Sequence, residues 1–152
     1  MPNLELDQNP NYSYLPELVG HLVGLAHLRA KELWLEQQSS LKLTPKQVVA
    51  LEFIFHNPGV SQNIIAKHIG TAPTVMVGIL DVLTVRGFVE RLQSETDRRH
   101  WHVRVTKQGK KILAELKRLM FEVEKVLQTE SGLNQKDWNT LQKLLRKLTS
   151  RG

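Results

Sequence analysis

The sequence has 152 residues, of which 41% are hydrophobic and 24% charged, so one globular domain with an ordinary hydrophobic core is expected. It contains no cysteine, which excludes disulfides, thiolate catalysis, thiol redox sensing and cysteine-ligated zinc. The first residues, MPNLELDQNPNYSY, are acidic and polar, unlike a signal peptide, and no apolar run reaches the roughly 18 residues of a membrane span. We therefore expect a cytoplasmic protein with no membrane partner.

The net charge of +6 lies almost entirely in one segment. Residues 86–111 contain eight basic and three acidic side chains, whereas the charges of the remaining sequence nearly balance. Such a focused basic segment points to a polyanionic partner, and first to nucleic acid. Taken alone, the charge is explained equally well by a solvated surface that aids solubility.

The N-terminal part of the sequence predicts an arm followed by two helices. Residues 1–12 are expected to form an extended or unstructured arm, and apolar residues at helical spacing over 15–35 predict a long first helix with a wide apolar face. The segment LTPKQ at 43–47 has the capping-box arrangement, with proline at the first helical position. It predicts a second helix that ends near His56, before an Asn-Pro-Gly turn.

A helix-turn-helix pattern follows at about residues 61–85. Ser61 is placed as the N-cap of a short third helix over 62–68, and a fourth helix over 74–85 follows a turn that contains glycine. Helix hairpins of this size also occur in many other all-α proteins. Three apolar residues at the third helix are expected to face inward: Ile64, Ile65 and Ile69.

A β-hairpin is predicted directly after the fourth helix. Residues 88–92 and 101–105 have strand composition, the second with alternating apolar and polar side chains, and the loop between them is polar and charged. The segment 88–105 is therefore expected to be a wing with a basic tip. Thr106 then caps a long helix with a heptad-like apolar seam, and Asn134 begins a last amphipathic helix.

The ordered motifs between Leu43 and Gly109 closely resemble the MarR family, the multiple-antibiotic-resistance-type winged helix-turn-helix repressors. The most specific parts are LTVRGFVER at 83–91, the triplet DRR at 97–99, and Thr106 together with the glycine three residues later. The resemblance implies a fold that is mainly α with a small β-hairpin wing (α+β). It also implies bacterial or archaeal origin.

The domain plan and the partners follow from the same resemblance. A winged helix-turn-helix unit at 43–106 is expected between dimerisation helices at 13–38 and 107–150, so that 13–150 form one domain. A homodimer would hold two winged units about one DNA turn apart over a near-palindromic operator in double-stranded DNA. The implied function is a transcriptional regulator, a repressor of a nearby promoter relieved by a small organic ligand such as a phenolic or aromatic acid.

The candidate DNA interface consists of the positions that match the family's contacts. The fourth helix would enter the major groove, the N-terminus of the third helix would lie on phosphate, and Arg98 and Arg99 would enter a minor groove. Asp97 is assigned an orienting role in the wing. The candidate DNA-binding residues are Ser61, Gln62, Thr71, Pro73, Thr74, Val75, Val77, Gly78, Arg86, Arg91, Arg98 and Arg99.

Two of these arginines have an alternative role. Arg86 and Arg91 either contact phosphate or pair with one of two nearby carboxylates, Glu90 or Asp97. The recognition helix itself departs from the family, whose members usually carry serine, threonine and a basic residue on its exposed face. The run TVMVGI at 74–79 leaves few hydrogen-bond donors, so thymine methyl contacts, the wing or DNA shape would have to supply specificity.

Other functions compete with DNA binding. A dimeric interaction protein that retains the fold but binds DNA weakly or without specificity stays open because the recognition helix is apolar. No nucleophile elbow, phosphate-binding glycine loop or set of metal ligands is present, so neither an enzyme nor a cofactor or metal is expected. The candidate effector pocket comprises Tyr14, His21, His27, Trp34 and Phe53, although most of these are expected to be ordinary core or interface residues.

Overall fold

The computed structural model describes residues 13–37, 41–93 and 101–150. Within these ranges the protein is mostly helical, with one small antiparallel sheet of three strands, which confirms the predicted fold class. The predicted arm at 1–12 lies outside the described residues. The elements in chain order are a 3₁₀ helix (Leu15–Glu17), α1 (Val19–Gln37), α2 (Pro45–His56), β1 (Val60–Ser61), α3 (Gln62–His68), α4 (Pro73–Val85), β2 (Val89–Gln93), β3 (Trp101–Val105), α5 (Lys107–Ser131) and α6 (Gln135–Thr149).

The first helix begins later than the apolar spacing predicts. A 3₁₀ helix with Pro16 in its first turn precedes it, and Leu18 has extended backbone (φ −87°, ψ 114°) before α1 starts. Proline lacks the amide hydrogen that would continue an α-helical ladder. Apolar spacing alone does not separate such a turn from the start of an α-helix, which explains the difference.

The predicted capping box of α2 is present. The backbone amide of Gln47 donates to the Thr44 hydroxyl at 3.3 Å, and the Thr44 amide donates to the Gln47 side-chain carbonyl at 2.8 Å. These two bonds satisfy amides that have no partner within the helix. Just before the box, the indole nitrogen of Trp34 donates to the Leu43 carbonyl at 2.6 Å, so α1 is held to the start of α2.

The helix-turn-helix forms as predicted, with one correction. The Ser61 hydroxyl accepts the Ile64 amide at 3.4 Å as N-cap of α3, Gly70 turns the chain with φ +65°, and the axes of α3 and α4 differ by 111°. The expectation that Ile64 faces inward is wrong, because its side chain is 48% exposed. Adjacent positions on a helix point about 100° apart, so Ile65 takes the core position instead.

The wing sheet has a strand that the sequence did not predict. β1 pairs with β3, with Val60 opposite Val103 and Ser61 opposite His102, and β3 lies between β1 and β2. A two-residue strand is too short to show alternation, which is why the pattern missed it. Since β1 runs directly into α3, the sheet fixes the helix-turn-helix to the wing.

The base of the wing is joined to α5 by the motif that closes the MarR-like segment. Thr106 donates from its hydroxyl to the Gly87 carbonyl at 2.5 Å and from its amide to the Phe88 carbonyl at 3.0 Å. A Cβ on Gly109 would overlap that Phe88 oxygen and lie 3.0 Å from its carbonyl carbon. Only glycine permits this approach, so Gly109 is needed for α5 to pack against the start of β2.

The core lies under the winged unit and extends along α5, which packs against α1. Fully buried side chains from four elements meet there: Trp34, Leu51, Leu80 and Leu116. The apolar faces of the terminal helices are not covered within the described residues. Large exposed hydrophobic residues on or beside α1 and α6 are Leu18, Val19, Leu22, Leu25, Leu28, Leu141, Leu144 and Leu148. Among the described helices none alone is long and apolar enough to cross a membrane, while the bent pair of α3 and α4 meets that composition test jointly.

Candidate nucleic-acid interface

The helix-turn-helix leaves one face of α4 exposed. Its buried residues recur at spacings of three, one and three, which places them on one side of the helix: Met76, Ile79, Leu80 and Leu83. The opposite side, which we call the outer face of α4, has seven exposed residues: Thr74, Val75, Val77, Gly78, Asp81, Val82 and Val85. Four of the seven are valine, and Asp81 is the only charged one.

The start of α4 lacks a side-chain cap. Ala72 occupies the N-cap position and Pro73 the first turn, so no side-chain oxygen accepts a backbone amide there. Thr71 is half-buried, and its amide donates to the Ala66 carbonyl at 3.0 Å. The structure thus brings the predicted residues Thr71, Pro73 and Thr74 to the exposed N-terminal end of α4.

Arg91 is bound to α4 rather than to either predicted carboxylate partner. Its guanidinium lies 2.7 Å from the Asp81 carboxylate and donates to the Val77 carbonyl at 3.4 Å. The arginine side chain is 29% exposed and Asp81 53% exposed. We call this contact the Arg91–Asp81 pair; it joins β2 to the outer face of α4 and neutralises the only carboxylate there.

Arg86 is likewise engaged within the chain. Its guanidinium donates to the carbonyl oxygens of Leu41 and Lys42, the latter at 3.4 Å, and lies 4.9 Å from the ring centroid of Phe88. The two carbonyls belong to the segment before α2, so Arg86 holds that segment to the wing base. Among the described residues no carboxylate pairs with Arg86, and Asp97 lies outside them.

Glu90, an expected alternative partner of Arg86 or Arg91, pairs with Arg104 instead. The two residues face one another across β2 and β3, and the Nε of Arg104 lies 2.5 Å from the Glu90 carboxylate. Directly opposed unlike charges stabilise an antiparallel pair of strands. The register of the hairpin decides this pairing, and the sequence alone did not reveal it.

The basic segment therefore divides into engaged and unengaged charges. Its three described arginines (86, 91 and 104) all have partners within the chain. Three lysines at the start of α5 are exposed and have no ion-pair partner in the described part of the chain: Lys107, Lys110 and Lys111. The predicted wing-tip residues Asp97, Arg98 and Arg99 lie outside the described residues.

Three of the five candidate effector residues line two separate cavities in the described part of the chain. His27 and Trp34 line a small cavity of about 80 Å³ between α1 and α5, and Phe53 lines a larger groove. Tyr14 and His21 line neither of these two cavities. Met120 contributes to both of the lined cavities, and a single effector pocket stays a prediction.

The larger space, which we call the α2–α5 groove, has a volume of about 520 Å³. Its wall includes the aromatic side chains Phe53 and Phe121 and the cationic side chain of Lys117. The ring of Phe53 stacks on His68 with centroids 5.5 Å apart. The residues that line the groove are Val48, Val49, Glu52, Phe53, His56, Asn57, Lys117, Met120 and Phe121. Of these residues only Phe53 was predicted from the sequence. Phe121 could have been predicted as well, because it is an exposed aromatic residue on a polar helix face.

An ion-pair network links the middle of α1 to the C-terminal end of α5. Arg29 donates to both carboxylate oxygens of Glu130 at 2.9 Å, and to Glu32 at 3.3 Å. The hydrogen bond from Arg29 to Glu130 raises the pKa of the arginine above its ordinary value. No three histidine, aspartate or glutamate side chains within the described ranges converge on a common point that would suit a metal ion.

Known proteins match this chain in both sequence and fold. The family model of the MarR family matches residues 43–101. The transcriptional repressor CouR, solved bound to a 23-mer DNA duplex, is 30% identical with a TM-score of 0.83, and the match covers 95% of this chain and 100% of that one.

Two further solved structures share the fold. Wild-type MarR from E. coli in its apo form is 25% identical with a TM-score of 0.74, covering 88% of this chain and 98% of that one. The PcaV regulator from Streptomyces coelicolor, in complex with its natural ligand, is 20% identical with a TM-score of 0.78, covering 88% and 93%. A search of curated proteins by sequence finds no match.

Proposed function

Because the chain belongs to the MarR family of DNA-binding transcriptional regulators, which are not enzymes, we propose that it acts as a homodimeric repressor of a nearby promoter. It works in the cytoplasm on a near-palindromic operator in double-stranded DNA. The observation that carries the proposal is the likeness, along nearly the whole chain, to a repressor solved on a DNA duplex.

The exposed apolar faces of the terminal helices support the dimer. Contiguous exposed apolar surface of this extent on one molecule is typical of an association site. On α1 the exposed leucines accompany Gly20 and Gly24, where an added Cβ would meet nothing within 4 Å, so a second backbone can approach closely there. A closed two-fold dimer through α1, α5 and α6 covers these faces.

The DNA contacts divide by type. Ser61 and Gln62 at the start of α3 take phosphate, Arg98 and Arg99 at the wing tip take a minor groove, and the N-terminal turns of α4 face base edges. Asp97 orients the wing tip. Arg86 and Arg91 position the winged unit through their contacts within the chain rather than through phosphate.

The α2–α5 groove supports the ligand part of the proposal. Its apolar and aromatic wall suits an aromatic ring, and Lys117 supplies a cation for a carboxylate or phenolate. It lies between a helix of the winged unit and a helix of the dimerisation region, so a ligand there touches both. Release from DNA then requires that the ligand bind the arrangement of the dimer that is free of DNA more tightly than the arrangement that binds DNA.

A second function is favoured by one observation, the exposed valines of α4. A dimeric interaction protein that keeps the fold would use that apolar face for another protein and bind DNA weakly or without specificity.

The two functions are separated by measuring how tightly the purified protein binds the duplex upstream of its own gene at increasing salt concentrations. A repressor binds this duplex more tightly than an unrelated duplex of the same length, and its affinity for both falls linearly with salt in log–log form, whereas an interaction protein binds the two duplexes equally weakly or not at all. Sedimentation of the same sample, expected to give a dimer, tests the assembly.

A further inference from the structure

We infer that Val75 and Val77, at the N-terminal end of the outer face of α4, recognise thymine methyl groups in the major groove and determine sequence specificity. This inference rests on the proposed DNA binding and names what the recognition helix selects. It concerns residues whose exposure the structure shows and whose chemistry does not suit hydrogen-bonded readout of base edges.

The exposure of these side chains has no explanation inside the chain. Val75 is 50% exposed and Val77 38% exposed, on the two flanks of the outer face, while every core position of α4 is buried. Exposing apolar area to water is unfavourable, by roughly 25 cal/mol for each Å² left uncovered. The face gains that energy only when an apolar partner covers it.

Gly78 makes room for such a partner, because on the helix surface it lies between the flanks that carry Val75 and Val77. A Cβ built at this position meets nothing within 4 Å, so no neighbour within the chain requires glycine there. Glycine inside a helix costs about 1 kcal/mol relative to alanine. Gly78 therefore stabilises neither the helix nor the packing of the chain. The open position instead allows a surface outside the chain to approach closely.

The charge of the outer face does not oppose the approach of DNA, the partner in the proposed function. A lone carboxylate would repel phosphate, but Asp81 is neutralised by Arg91 at 2.7 Å. The pair also uses up the nearest guanidinium, so it is not free to bond a guanine. Thr74 is then the one exposed hydroxyl left on the described outer face, which leaves few donors for any base.

The major groove offers one apolar group that fits this face. Thymine carries a C5-methyl group at the groove surface, and each other natural base lacks it. A valine that covers such a methyl removes about one methyl group of apolar surface from water, worth roughly a fourfold gain in affinity. Since a dimer presents the contact twice, the two gains multiply to at most about sixteenfold, and because each valine covers only part of a methyl group we expect about a tenfold effect for a symmetric pair of thymines.

The test uses duplexes about three helical turns long, selected by the protein from a random library and then resynthesised. Deoxyuridine replaces thymidine at one symmetric pair of positions at a time, which deletes only the methyl groups. Affinity is measured by fluorescence anisotropy for the wild-type protein, for Val75→Ala with Val77→Ala, and for Val85→Ala. Val85 is the matched control because it is 87% exposed on the same face but at the far end of the helix.

We expect the uridine duplex to bind about tenfold more weakly at one or two pairs of positions. The double alanine variant should lose affinity for the thymidine duplex and no longer distinguish the two duplexes, whereas Val85→Ala should keep the wild-type ratio. Equal binding of both duplexes overturns the inference while leaving DNA binding intact. An unchanged thymidine-to-uridine ratio in the double variant also overturns it, since the methyl effect then comes from DNA shape. Failure to select any duplex contradicts the proposed function itself.

Discussion

The recognition helix and the wing region differ sharply in how they meet DNA. The outer face of α4 is apolar and has no unpaired charge, whereas the segment from the wing to the start of α5 has most of the chain's excess positive charge. Phosphate contacts set affinity and position, while groove contacts set sequence preference. In the proposed function the two tasks fall on separate elements, so we expect that each can be removed without the other.

The largest effect is expected where the two regions are joined. Gly109→Ala places a methyl group against the Phe88 carbonyl, 3.0 Å from its carbon, and so forces α5 away from β2. Overpacking of this kind costs up to about 3 kcal/mol in the free energy of unfolding. Urea denaturation measures it, and Gly78→Ala, at a helical glycine where an added Cβ meets nothing within 4 Å, serves as the control for losing a glycine. Equal stability of Gly109→Ala and the wild type contradicts the packing described here.

Among the substitutions that leave the fold intact, those at the wing tip should reduce DNA affinity most. Replacing Arg98 and Arg99 together by alanine should reduce operator affinity at least tenfold and flatten the slope of log affinity against log salt by roughly 0.9 for each phosphate that is no longer neutralised. Dimerisation should not change, because the substitutions lie far from α1 and α6 in sequence. Lysine at both positions tests charge alone: it should restore the salt slope. An alanine variant with unchanged affinity rules out the wing contact.

The Arg91–Asp81 pair should have an intermediate effect. Arg91→Ala leaves the Asp81 carboxylate unpaired on the face that we propose meets DNA, so operator affinity should fall about fivefold, or roughly 1 kcal/mol. Adding Asp81→Asn to that variant removes the stranded charge and should recover most of the loss. A double-mutant cycle on DNA affinity measures the coupling. If Asp81→Asn fails to rescue Arg91→Ala, Arg91 acts on DNA directly.

The smallest effect on DNA is expected for Arg86. Arg86→Ala removes the donor from the Leu41 and Lys42 carbonyls, which should lower the free energy of unfolding by about 2 kcal/mol. Affinity for the operator, measured well below the unfolding temperature, should stay within about twofold of wild type. A tenfold loss of affinity without a loss of stability would return Arg86 to the set of phosphate contacts.

Local sequence signals predicted most of the helices because their ends depend on neighbouring residues. Thr44 with Gln47, Ser61, Thr106 and Asn134 all accept the amide bonds expected of N-caps. Each of these bonds spans three residues, so the pattern is visible in the sequence.

Contacts between elements that lie far apart in the sequence could not be predicted in the same way. The short strand β1 exists only because β3 lies beside it, and the partner of Arg91 is set by how β2 packs on α4. Asp81 was within reach of prediction, since it follows Gly78 by three positions and so shares the exposed face. Three of the five effector candidates line two separate cavities, because aromatic composition does not say which side of a helix a residue occupies.

The separation of affinity from base selection is tested most directly by one measurement. Binding of the wild-type protein to the matched thymidine and uridine duplexes is followed across a salt titration. Phosphate contacts weaken with salt, whereas burial of a methyl group involves no charge. Our account predicts two parallel lines in the log–log plot, both steep and offset by about tenfold. Lines that coincide, or an offset that disappears as salt rises, would contradict it.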